Sequence, residues 1–321
     1  EYETDGPFYA SPVVVDGTVY APSFDQSLHA VNAATGEADW TFQGNGNPRS
    51  TPAVEADSVF FGTDANTVFS VTSDGEEEWR YEGGGPVRAS PKTVQVNNNT
   101  LVLVAEGRFG SGAVGDRRVL QALSSEGELS WEFTSGGYTE YAPAVANGNV
   151  YFARWDGVVY SINGSNGEQN WFHEASGNIS CSPTVRDQTV VYADERGNVR
   201  ALRTDEDSVR WTYEADAGIR SSPSASDDTV YFGDEDGTFH AVSLDGDEIW
   251  TYDTEDSIRS KPTVGDDFVA FGNNDGNVYV LDTEGEELWT HETGNDVRTS
   301  PAVIDGRLFV SSFDNNLYAF E

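Results

Sequence analysis

Five arginines stand three residues ahead of a proline: Arg49, Arg88, Arg220, Arg259 and Arg298 precede Pro52, Pro91, Pro223, Pro262 and Pro301. A guanidinium is a planar, permanently charged fork of N–H donors that fits a carboxylate or phosphate two bonds at a time. Five forks at one register specify one of two things: a site for an anion, such as a small organic acid or a partner's acidic segment, or a set of ion pairs between neighbouring units. The same register holds Tyr9, Glu140 and Ser180 ahead of Pro12, Pro143 and Pro183. In a chain of formal charge −37, a ring of unpaired arginines would be a local positive focus.

The other residues able to do chemistry fall on recurring positions. His29 and His240 share one register and His173 and His291 another, two residues after a tryptophan, so the histidines read as architecture and form neither a metal cluster nor a nucleophile–His pair. Asp234-Glu235-Asp236-Gly237 and Asn273-Asn274-Asp275-Gly276 have the composition of calcium loops, but neither continues to a bidentate Glu, and both coincide with an ordinary turn of the repeat. Cys181 is the single cysteine, which excludes an internal disulfide framework. It sits beside Pro183 in the register of Ser11, Ser90, Ser182 or their neighbours, where a small buried residue is expected. Acidic residues number 55 against 18 basic ones, of which only Lys92 and Lys261 are lysine. Such a polyanion disfavours nucleic acid and anionic membranes as partners, and the scatter of acids through every unit is that of a halophilic surface.

The elements that position these residues repeat. The eight prolines Pro12, Pro52, Pro91, Pro143, Pro183, Pro223, Pro262 and Pro301 are spaced by 40, 39, 52, 40, 40, 39 and 39 residues. Trp40, Trp79, Trp131, Trp171, Trp211, Trp250 and Trp289 each lie 12 residues before the next proline of the series. Short alternating apolar runs broken by Gly and Asp turns rule out helical repeats of this period and specify four-stranded blades. In the unit 214–252, Pro223 opens the innermost strand, 229–233 and 238–243 form the next two, and the outermost surrounds Trp250 and Tyr252. The chain therefore reads as an all-β, eight-bladed β-propeller of four-stranded antiparallel blades in a single domain. Its blades are at about 5–42, 43–81, 82–133, 134–173, 174–213, 214–252, 253–291, and 292–321 completed by 1–4. Tyr2 aligns with Phe42, Tyr81, Tyr213 and Tyr252, so the N-terminal strand closes the ring on the C-terminal blade, and a tryptophan is expected immediately upstream of Glu1. Each in-register tryptophan is expected to fill the space between outer strands, with its indole N–H bound to a turn.

Val31-Asn32-Ala33-Ala34-Thr35-Gly36-Glu37 before Trp40, and Ile162-Asn163-Gly164-Ser165-Asn166-Gly167-Glu168 before Trp171, resemble the tryptophan-docking motif of pyrroloquinoline quinone (PQQ)-like repeats. Leu281-Asp282-Thr283-Glu284-Gly285-Glu286 before Trp289 is the same motif one residue shorter, and the weakest copy has Asp207-Ser208 ahead of Trp211. The resemblance covers all eight units and implies two possible functions. One branch of the family comprises dehydrogenases that bind PQQ and calcium at the propeller mouth. The other comprises non-enzymatic propellers such as the lipoprotein of the bacterial outer-membrane barrel-assembly machine, which binds partner proteins. The alcohol dehydrogenases carry adjacent cysteines and long insertions, whereas Cys181 is alone and this chain has one modest insertion; the non-enzymatic branch is the expectation, with no cofactor.

That insertion lengthens the third unit by about 12 residues. About three are expected in the first turn near Asn97-Asn98-Asn99 and the rest at 106–117, which carries Arg108, Phe109 and Arg117 and should lean over the arginine-bearing mouth. Trp155, the tryptophan outside the register, shares its position with Phe24 and Phe313 and neighbours Arg154. Packing around the mouth and a partner contact both account for it. The contact face expected from sequence is thus Arg49, Arg88, Arg220, Arg259, Arg298, Glu140, Arg108, Phe109, Arg154 and Trp155. No run approaches the roughly 20 apolar residues of a membrane span. The absence of methionine and the start within a blade point to a processed chain, exported or at the cell surface, with an anchor or sensor-protein tether removed upstream. Sequons at Asn98, Asn163 and Asn178 are compatible with export. The expected state is a monomeric scaffold that binds a protein or small anion.

Overall fold

The computed structural model describes residues 1–106, 118–136 and 139–321, with only the backbone at 118 and 119. Hairpin chemistry sets each blade. Asp16-Gly17, Asn147-Gly148 and Asp305-Gly306 all place two consecutive residues at positive φ, the conformation that lets a two-residue turn follow the twist of its strands. Blade 6 comprises Ser224–Ala225, Thr229–Gly233, Thr238–Ser243 and Glu248–Asp253, in that order across an antiparallel sheet, as the sequence indicates. Among the described residues there are eight such four-stranded sheets and no helix.

In seven blades the pairing of third and outermost strands slips one residue just before the tryptophan, as between Ala241 and Val242 opposite Trp250. Such a bulge bends the outer strand and re-aims its side chains. The six in-register indoles from Trp40 to Trp250 donate to a carbonyl in the next blade, Ser73, Ser125, Gly164, Thr204, Leu244 and Thr283 respectively, at 2.7–3.0 Å. Trp289 instead packs against His291 and Phe320.

Ring closure is direct. Tyr2–Glu3 pairs with Asn316–Phe320 as the outermost strand of blade 8, Tyr2 facing Leu317. Inside, Val13–Val15 of blade 1 lies beside Ala302–Ile304 of blade 8. Adjacent sheets bury a continuous apolar layer, for example Tyr151, Val191, Tyr192, Phe232 and Val242.

The third blade corrects one expectation. Its first turn is the usual two-residue one, Asn97-Asn98, between Val96 and Asn99. The extra residues lie in the strands, Lys92–Val96 and Asn99–Ala105, each two longer than their counterparts Ala53–Glu55 and Ser58–Gly62. A symmetric lengthening keeps every side chain on its face. The other expected insertion, with Arg108, Phe109 and Arg117, lies outside the described residues.

Candidate functional site: the channel and its mouth

Two registers interlock around one opening of the ring. One is the position three before the repeat proline; the other, twelve after it, lies in the turn between second and third strands. Arg259 of blade 7 reaches back to Glu235 of blade 6 with two bonds of 3.0 and 3.1 Å. Arg220 stands between Glu195 of blade 5 at 3.4 Å and Glu235 at 3.8 Å. Ser180 donates to Glu195. Arg298 donates to Asn274 of blade 7 and to Asp296, and its guanidinium lies 5.3 Å from the Phe313 ring. Arg88 bonds Glu140, its counterpart in the next blade, at 2.6 Å.

The belt then changes character. Tyr9 stacks on Phe24 at 4.1 Å and lies tilted against Phe313 at 4.2 Å, and the Arg49 guanidinium covers Tyr9 and Phe24 at 5.2 and 4.9 Å. Arg49 has no carboxylate partner among the described residues, and its Nε is buried without a hydrogen bond. Tyr9 remains 42% exposed, which makes it the most open side chain of this arc. Cation–π contacts at partly open sites are worth about 0.5–1 kcal/mol each and hold the rings in place.

Of the two readings of the arginine register, the geometry favours ion pairing: Arg88, Arg220, Arg259 and Arg298 are paired with acids, so the mouth alternates in charge. Arg154 is also turned inward. It is 8% exposed, and its guanidinium bonds Asp156 and the Tyr160 hydroxyl. It belongs to a buried ring at position eleven after the proline, with Ser23, Thr63, Asp194, Asp234, Asn273 and Ser312, several of which close their turns by accepting backbone N–H groups. Trp155 is 37% exposed beside it.

Asp234 is engaged in the same way, accepting from the Asp236 and Thr238 amides and lying 3.1 Å from His240 Nε2. His240 Nδ1 meets the Tyr213 hydroxyl of the preceding blade at 3.2 Å, and His29 repeats the arrangement with Asp25 and Tyr2. These Tyr–His–Asp chains run between blades, and both rings are buried. Cys181 is fully buried, and its thiol donates to the Ala193 carbonyl; burial pushes its pKa up to about 12. Its register is two before the proline, shared with Ser50, Ser260 and Thr299, whose hydroxyls bond the equivalent carbonyls of Gly62, Gly272 and Ser311. Ser11, Ser90 and Ser182 belong to the next position along.

Below the mouth the innermost strands line a channel of about 710 Å³. At the position just before the proline, hydroxyls link blade to blade: Ser11 Oγ accepts from Ser300 N, Thr51 from Ser11, Ser90 from Thr51, Ser182 from Ala142 and Ser222 from Ser182, at 2.7–3.2 Å. Lys261 takes this position in blade 7, and Lys92 lies just after the proline in blade 3, so both lysines line the channel. Sequence reasoning noted their scarcity and missed their place. The signal was available, because each lysine stands one residue from a repeat proline.

Around the mouth Glu140, Glu195, Glu235 and Asp296 engage Arg88, Arg220, Arg259 and Arg298, and among the described residues no three His, Cys, Asp or Glu side chains converge around a cation position.

Fold and repeat together define an eight-bladed β-propeller of PQQ-like repeats. The family model described as outer membrane protein assembly factor BamB matches residues 1–111, 46–136, 110–205 and 173–321, and the chain belongs to that family. No curated protein matches the sequence. Among solved structures, BamB from Moraxella catarrhalis superposes with a TM-score of 0.81 at 16% identity, covering 99% of this chain and 97% of the other. The computationally designed protein Ika8 gives 0.82 at 16% with the same coverage. Quinohemoprotein alcohol dehydrogenase from Comamonas testosteroni gives 0.78 at 14%, covering 97% of this chain and 71% of that one. At such identities the likeness shows the fold. Among the described residues no helix is long and apolar enough to cross a membrane.

Proposed function

We propose that this chain is a non-catalytic scaffold of the exported or cell-surface compartment that binds a protein partner through the channel mouth. The observation that carries the reading is the rigid arc of Tyr9, Phe24 and Phe313 under Arg49 and Arg298, with Tyr9 open to solvent. Aromatic and Arg side chains held in place before contact are the composition of interface hot spots. Arg49, which lacks a carboxylate partner among the described residues, supplies the position for one from the partner. Membership in a family described as an outer-membrane assembly factor supports a scaffolding role.

The test is a photo-crosslinking residue at position 9 and, as a control, at Leu288, which is 58% exposed on the outer rim. Each labelled protein is exposed to an envelope fraction of its own organism. A discrete adduct from position 9, weakened at least tenfold by Arg49→Gln, supports the reading. An adduct from the rim alone overturns it. The competing reading, alcohol oxidation with PQQ and calcium, is met by an absorbance spectrum after reconstitution and gel filtration. No retained quinone band is expected, and a stoichiometric one would replace the scaffold with an enzyme.

A further inference from the structure

We propose that the central channel binds a small dianion, a divalent oxyanion or a short dicarboxylate, between Lys92 and Lys261. The chain has two lysines, and both line one cavity from blades 3 and 7, which are four apart and so stand opposite one another in a ring of eight. Neither forms an ion pair among the described residues. Arg259 and Arg298 reach the same cavity from the mouth, but Glu235 and Asp296 already pair with them.

Among the described residues no Asp or Glu borders the channel, although acids outnumber bases 55 to 18 in the chain. The wall offers donors. Ser11, Thr51, Ser90, Ser182 and Ser222 each accept a backbone N–H from the preceding blade, and among the described residues their hydroxyl hydrogens have no acceptor. A hydroxyl can donate one bond while it accepts others, whereas an ammonium only donates. Two ammonium groups and a collar of hydroxyl hydrogens call for a ligand rich in acceptors and negative charge.

Two like charges facing one cavity repel, and poor solvation by the channel walls adds to the cost. Lys92 and Lys261 both have lowered pKa values, Lys261 to about 8, with loss of solvation first and the Lys92 charge second. A monoanion neutralises one lysine. A dianion bridges both and turns their repulsion into a shared attraction. About 710 Å³ is far more than the roughly 30 Å³ share of one water, so a small anion enters with part of its hydration shell. The site stands on the channel lining alone and does not depend on a partner at the mouth.

Two lysines make a direct experiment. Protein labelled with ¹³C and ¹⁵N at lysine gives two Cε signals, assigned with Lys92→Gln. Sulfate, malonate and succinate are titrated separately, with ionic strength held constant by potassium chloride. Both signals are expected to move together to saturation at one midpoint, the proton-binding midpoint of Lys261 to rise by about one pH unit, which is tenfold in proton affinity, and Lys92→Gln to weaken binding at least tenfold. Tighter saturation by sulfate identifies an oxyanion, and by malonate or succinate a dicarboxylate. Shifts that follow ionic strength alone, equal saturation by chloride, or a response from one lysine only would overturn the proposal. If Lys92→Gln does not fold, the titration of the wild-type protein decides by itself.

Discussion

Lys261 holds its ammonium in a passage walled by Ser, Thr, Ala and Pro, with Lys92 across it and Arg259 and Arg298 towards the mouth. Its pKa falls to about 8, while the Cys181 thiol behind the wall, held at about 12, stays neutral. In the unfolded chain a lysine titrates near 10.4, so between pH 8 and 10 the unfolded chain keeps a proton that the fold has released. Lys261 therefore contributes a stability that rises with pH across that window, while from about pH 8.5, where an unfolded thiol ionises, the raised Cys181 opposes it. Above pH 10 the slope reverses, because buried phenols such as Tyr279, raised to about 12, keep protons that the unfolded chain loses. Urea midpoints in dilute chloride at pH 7, 8, 9 and 10 should therefore rise for the wild type relative to Lys261→Gln, the Cys181 contribution being common to both; a difference that does not widen with pH would assign the effect to another group. The arginine register was fully legible in the sequence. Its pairing was not, because partners stand in neighbouring blades, as Glu235 does 24 residues before Arg259 and Glu140 does 52 residues after Arg88. Trp155, Phe24 and Phe313 had already marked that second register, and extending it to Glu195 and Glu235 would have shown the alternation of charge.

At the scale of elements, the tryptophan and the glycine of the following blade are one device. Gly246 has φ of +94°, and a Cβ placed there would lie 2.8 Å from the Trp211 ring, whose indole donates to Leu244 in the same turn. Gly17 is also left-handed, at +80°, but a Cβ there meets nothing within 4 Å. Both Ala substitutions carry the backbone cost of about 1–2 kcal/mol. Only Gly246→Ala must also displace a packed ring, which adds about 1–3 kcal/mol. Denaturant unfolding of the two variants isolates the packing term, and equal losses would mean that the indole yields without cost. Strand order, turns and closure were readable because each depends on local chemistry repeated eight times. The lengthened hairpin of blade 3 was misread as a longer turn because Asn97, Asn98 and Asn99 look like turn residues, whereas Asn99 pairs with Val96 in the ladder.

For the whole molecule, a formal charge of −37 acts on every blade, while closure depends on a strand of two residues, Tyr2–Glu3, on Thr4 N–H donating to Asn315 O at 3.0 Å, and on Tyr2 reaching His29. The Debye length falls from about 30 Å at 0.01 M salt to about 3 Å at 1 M, so repulsion between blades is strong in dilute buffer and nearly gone at molar salt. Lowering salt should loosen the seam first, because two residues of pairing resist separation less than the long strands elsewhere. Amide exchange at Thr4 is therefore expected to accelerate from 2 M to 0.05 M potassium chloride more than exchange at Tyr231, and the urea midpoint to fall with it. Screening acts alike on the wild type and on the Lys92→Gln, Lys261→Gln double variant. Occupation of the channel by a dianion stabilises only the wild type, by an amount that grows with the logarithm of ligand concentration. Sulfate added at fixed ionic strength should thus raise the wild-type midpoint above that of the double variant, and parallel curves would assign the whole salt response to the surface charge.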